Sequence, residues 1–243
     1  MFEATQLIAQ QAIDRFQSNL STSMPGVVVR MDYERMRADV QPAIPRKFED
    51  GSTEEYSVIL DVPVVMPGSQ NSLISIPVQV GDNVTLMFCQ SDIDSWSISA
   101  TGQSTPAETL RTFDMQDAIA IPGLYTSPRS LNNPAARKWP HDPKDLVVSM
   151  NTGSGSECEI RMTPGGTITV NTDYTVNVNA QDVNVTAKGN ANVTAQAVNV
   201  KAANTVITGN VSISGILTLA GINMNTHKHI GVQPGSGTTG TPV

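Results

Sequence analysis

Two hydrophobic patterns divide the chain near residue 163. Beyond it, apolar residues recur in pairs at i, i+2, every seven or eight residues: Val176/Val178, Val183/Val185, Ala191/Val193 and Val198/Val200. That spacing puts both members of a pair on one side of a strand and the intervening Asn or Thr on the other. Val and Thr favour strands, Asn and Gly favour turns, and a period of two excludes helix. The pattern predicts short strands broken by turns at fixed intervals.

The first part of the chain reads differently. Phe2, Leu7, Ile8, Ile13, Phe16 and Leu20 lie at near-helical spacing before the stop at Pro25–Gly26, so a short N-terminal helix or docking arm is expected over 1–22. Alternating runs follow at Val27–Tyr33, Met36–Ile44, Ser57–Val65, Leu73–Val80, Asn83–Gln90 and Ser95–Ala100, separated by turn signals such as Asp50–Gly51, Pro67–Gly68 and Gly81–Asp82. Five or six strands in so short a span suggest a small barrel over 23–103, of which the OB type fits best. Such barrels often grip nucleic acid through aromatics and basic residues. Here Tyr33, Tyr56, Phe88 and Trp96 sit among Asp32, Glu34, Glu54 and Glu55, so the barrel is expected to be structural. Residues 104–145, rich in Pro and poor in strand pattern, read as an extended connection, with His141 as a surface loop residue.

Composition sharpens the division. Residues 163–243 carry five charges, Asp173, Asp182, Lys188, Lys201 and Lys228, while the first 162 residues hold the other 32. The net charge of −7 argues against binding to duplex nucleic acid or to an acidic membrane surface. No run of about 18 apolar residues is present, the N-terminus lacks the basic and apolar regions of a signal peptide, and Cys89 and Cys158 form neither a disulfide framework nor a zinc cluster. A soluble chain made in a reducing cytoplasm is expected.

Magnitudes then constrain the repeat. Two buried valines contribute roughly 3–6 kcal/mol, whereas ordering seven or eight residues costs on the order of 8–15 kcal/mol of backbone entropy. Repeats this thin need apolar neighbours and backbone partners from elsewhere, which several chains wound about one axis would supply.

The C-terminal end points to three chains. In Asn223-Met224-Asn225-Thr226-His227-Lys228-His229, an extended backbone aims His227 and His229 the same way. On a three-fold axis, two imidazoles per chain provide six nitrogens around one point. Six ligands suit an octahedral metal, and imidazole suits iron or nickel, whereas zinc usually takes four; cellular abundance favours iron. With every position filled, the metal is structural, one per trimer. The glycine-rich end after Gly231 can turn tightly around such a centre.

Barrel, connection, valine repeat and terminal His-x-His together resemble the central spike, or membrane-puncturing tip protein, of contractile-tail bacteriophage baseplates, which is related to the spike tips of type VI secretion. Val80-Gly81-Asp82-Asn83-Val84-Thr85-Leu86-Met87-Phe88 is similar to a strand and turn of the spike OB domain, and Met224-Asn225-Thr226-His227-Lys228-His229 to its apex. The resemblance implies an all-β homotrimer: OB-fold barrels at the base, an intertwined triple-stranded β-helix shaft over 146–222, and an apex over 223–243 where His227 and His229 of each chain hold one iron. It implies a virion component assembled in the host cytoplasm, docked on the baseplate hub protein beneath the tail tube, that pierces the host outer membrane when the sheath contracts. No lysozyme domain is recognisable, so no enzymatic activity is expected. Two alternatives are a β-helical tailspike enzyme that cuts surface polysaccharide, for which Asp173 and Asp182 are the only tail carboxylates, and an OB module binding single-stranded nucleic acid.

Overall fold

The structure, a computed structural model, describes residues 6–13, 20–130, 137–228, 231 and 235. The chain divides into two compact units, Met1–Val178 and Asn179–Val243.

In the first unit, a helix α1 covers residues 6–13, where Leu7, Ile8 and Ile13 are exposed. The rest of the helix expected over 1–22 lies outside the described residues or, at 20–22, is not helical. Five strands build the main sheet: β1 (Ser23–Asp32), β2 (Arg37–Pro42), β5 (Ile59–Pro63), β6 (Asn83–Phe88) and β7 (Ala118–Pro122), in the order β5-β2-β1-β6-β7 and antiparallel throughout. A small hairpin of β3 (Arg46–Lys47) and β4 (Thr53–Glu54) stands apart from it. The two edges approach each other where Val64 bridges Ala120, and Val65 N–H donates to the Ala120 carbonyl at 2.9 Å. The sheet therefore curls on itself.

Alternation explains its core. Val84, Leu86 and Phe88 of β6 point inward with Val28, Ala38, Val40, Ile59, Val62, Val64, Val78, Ala118 and Ala120. Gly26 lets β1 pass close to β2, since a Cβ there would lie 2.5 Å from Val40 Cγ1. The β2–β5 pairing slips at Asp39, between Ala38 and Val40, and the Asp39 carboxylate accepts the Asp61 N–H at 2.9 Å. A side chain thereby supplies the hydrogen bond that the bulge denies the ladder.

Three expected elements differ. Ser95–Ala100 is not a strand: residues Asp94–Ser97 form one helical turn, α2, because its carbonyls and hydroxyls close locally, with Ser97 Oγ donating to the Asp94 carbonyl at 2.9 Å. Leu73–Val80 contributes only the bridge from Leu73 to Gly68. The strand pairing with β6 instead comes from β7, inside the stretch read as an extended connection; its Ala-Ile-Ala-Ile-Pro is too short to stand out among prolines. A single 3₁₀ turn, Ser127–Arg129, follows.

Still within the first unit, β8 (Leu146–Met150), β9 (Cys158–Met162) and β10 (Ile168–Thr172) form an antiparallel meander in the order β10-β9-β8. From residue 173 to 217 no strand or helix is present, although every residue is described. The short strands expected of the repeat thus have no partner among the described residues of one chain. In the second unit, β11 (Thr218–Leu219) and β12 (Ile222–Asn223) make a hairpin. Its turn residues Ala220 (φ 50°) and Gly221 (φ 82°) are both left-handed, as a tight two-residue hairpin of right-twisted strands requires.

Candidate functional site

The apex is built outward from that hairpin. Beyond β12, Met224 N–H donates to the Leu217 carbonyl at 2.8 Å, continuing the ladder. Asn223 then turns the chain: its side-chain oxygen accepts Asn225 N–H at 2.9 Å, and its carbonyl accepts Thr226 N–H at 3.3 Å. This brings His227 Nδ1 to 2.9 Å from the Met224 carbonyl. A carbonyl can only accept, so Nδ1 carries the proton and the ring's lone pair is on Nε2. An imidazole held through Nδ1–H to a backbone oxygen, with Nε2 as the donor atom, is a usual form of a metal-ligating histidine. The exposed His227 therefore fits a metal ligand. His229, the other expected ligand, lies outside the described residues.

Ahead of the apex in sequence, the repeat leaves its apolar residues in the open. Val176, Val178, Val183, Val185, Val193, Val198 and Val200 are each at least 60% exposed. Of the two tail carboxylates, Asp173 forms an ion pair with Lys138.

The β8–β10 meander has its polarity reversed. In register, Leu146, Met162 and Ile168 form one cross-strand row, and Val148, Ile160 and Val170 a second; all six are exposed. The inward face is polar instead. Glu159, almost fully buried, receives Arg161 at 2.5 Å and Asn171 Nδ2 at 3.0 Å, with Arg137 at 3.6 Å. Arg161 also donates to the Trp139 carbonyl at 2.8 Å, and buried Glu157 accepts the N–H groups of Lys138 and Gly153. His141 is buried, not a surface residue, and its Nδ1 has no hydrogen-bond partner among the described residues.

A second ionic cluster, unforeseen in the sequence, pins the loops beside the curled sheet. Arg111 reaches Asp92 (3.1 Å), Asp94 (2.7 Å) and Asp117 (3.0 Å). The Asp92 carboxylate is held below its usual range, first by Asp94 N–H and then by the Thr109 hydroxyl, and Arg111 is raised, first by Asp117. On the sheet itself, Arg30 and the Asp61 N–H likewise depress Asp39. Stabilisation from a depressed carboxylate is present above its unfolded value of 3.8 and is lost as pH falls through the lower folded value. The urea midpoint of the barrel should accordingly be flat from about pH 5 to 7 and fall below about pH 4, with a shallower fall in Asp39→Asn.

Of the four aromatics considered for base stacking, Tyr33 is exposed and the other three make contacts within the chain. Phe88 is in the core, Tyr56 lies under the Arg46 guanidinium at 5.3 Å, and Trp96 donates to the Gly102 carbonyl at 3.3 Å.

Comparison with known families fits this anatomy. Residues 24–123 match the phage protein Gp138 N-terminal domain, ending just past β7 and so covering the curled sheet with the strand that the sequence pattern hid. Residues 221–243 match the GpV Apex motif, beginning in the β11–β12 turn and spanning both histidines. No curated protein matches the chain. A chain that joins these two families is a phage tail spike protein. Within that class it is a central spike, the tip component of the baseplate, and hence part of the virion tail.

Proposed function

We propose that this central spike is a homotrimeric needle that pierces the host outer membrane as the tail sheath contracts. The observation that carries the reading is the exposed valine repeat. Seven valines at least 60% exposed forgo more than about 10 kcal/mol of burial, in a segment whose backbone makes no strand within its own chain. Two identical neighbours would supply both the apolar contacts and the strand partners. In this assembly the curled sheet over 23–103 with β7 is an OB-type barrel at the base. Of the shaft expected over 146–222, residues 146–172 pair within their own chain as the β8–β10 meander, so the intertwined triple-stranded β-helix begins at residue 173, and residues 223–243 form the point. Interlocked strands cannot peel away singly, which suits a part loaded along its axis.

At the point, His227 and His229 of three chains would hold one iron. The proton on His227 Nδ1 leaves the Nε2 lone pair as the donor. Bound iron would tie together three chain ends that otherwise fray, and six imidazoles leave no position for substrate, so the role is structural. The base would dock on the baseplate hub protein, with assembly in the host cytoplasm. The spike has no catalytic duty in this reading; the Lys138 ion pair on Asp173 supports it against a polysaccharide-cutting tailspike, and the buried Phe88 supports it against a nucleic-acid module.

Sedimentation of the purified protein tests the assembly: a mass near three times 25.9 kDa is expected, and a monomer would overturn the needle. Elemental analysis tests the apex. One iron per three chains is expected, and two, three or none per trimer would refute the six-histidine site.

A further inference from the structure

We infer that the outward apolar face of the β8–β10 meander is an interface between copies of this chain, a closed apolar collar joining barrel and shaft. The inference rests on the trimeric reading above and assigns it specific residues.

A half-exposed sheet ordinarily turns its apolar side to the core. Here the core-facing side holds Glu159, Arg161 and Asn171, tied together and roofed by the 137–141 loop. Flipping the sheet would bury nothing useful and would strand those charges, so its orientation is fixed from within. The other side presents Leu146–Met162–Ile168 and Val148–Ile160–Val170, two rows without a charge. The second row itself lines a groove of about 460 Å³, together with Ile74, Met150 and Val176.

Area decides what covers this face. Three strands at about 4.8 Å and five residues at about 3.3 Å give a patch of roughly 240 Å², against about 800 Å² per partner in a stable interface. A separate globular protein seated on the patch alone would gain too little to stay. A second copy gains more, because the apolar surface continues past the meander within the same unit: β10 ends at Thr172, and Val176, the first valine of the repeat, already lines the groove. Chains carrying a net −7 also repel one another except across neutral surfaces such as this.

Cys158 reports on the face directly, since it is partly exposed in the single chain and lines the groove. In a Cys89→Ser background, maleimide labelling of Cys158 in the intact protein should be at least 100-fold slower than in urea. Val148→Asp/Ile160→Asp, which alters two side chains exposed in the lone chain, should leave the urea midpoint of the β1–β7 sheet unchanged but weaken assembly by sedimentation at least tenfold. A trimer whose Cys158 labels as fast as in urea, or which tolerates both aspartates, would overturn the collar and leave the needle standing. Protection that appears only when another protein is added would also overturn it. A monomer would remove the needle and the collar together.

Discussion

Arg111→Met will lower the stability of the barrel more than any other single charge removal. The guanidinium is the shared partner of Asp92, Asp94 and Asp117, and the Asp92 and Asp117 side chains are almost completely buried. Deleting one member of a buried ionic group leaves the others charged and unpaired, a loss of about 3–5 kcal/mol. Arg111 is itself about a quarter exposed, so we expect the lower end, about 3 kcal/mol. With a urea m-value of about 1–3 kcal/mol/M, the midpoint falls by about 1 M or more. The deficit should shrink in acid, where the Asp92 carboxylate takes up a proton and needs no cation. Arg35→Met is the control: its guanidinium is 56% exposed and its partner Asp61 42%, and its midpoint should move little. Equal shifts for the two variants would show that the Arg111 cluster is not the pin.

His227→Ala/His229→Ala should abolish metal binding while sparing the barrel. From one iron per three chains the content should drop to none by elemental analysis, with the barrel's urea midpoint unchanged. Only the tip should loosen, seen as faster hydrogen exchange in residues 217–227, where the hairpin and the Asn223 turn position His227. Iron retained in full by the double variant would move the site elsewhere.

The sequence and the structure agree where a local pattern is tied to its own surroundings. Val84, Leu86 and Phe88 alternate along a strand with turn signals before it, and they point into the core. They part where burial depends on groups far away in sequence. Ala118–Pro122 became a sheet edge strand because β6, paired with β1 on one side, had its other side open, a fact no window of five residues contains. Glu157, Glu159 and Arg161 alternate with Cys158, Ile160 and Met162. A period of two identifies two faces but not which is inside, and the usual rule would have chosen wrongly. His141 looked like loop surface because the roof it belongs to is made by Glu157 and Arg161. The family resemblance, by contrast, rested on Val80–Phe88 and Met224–His229, and each lies inside a matched family region.

The reversed meander also bears on how the virion part is made. A newly synthesised copy emerges with its greasy strips already displayed and its charges locked away, so no internal rearrangement can hide them. If copies close over these strips as proposed above, each molecule must find companions before it finds strangers. Soluble yield should therefore rise when translation is slowed or cooled, and fall sharply when copies accumulate faster than they can meet in the right register.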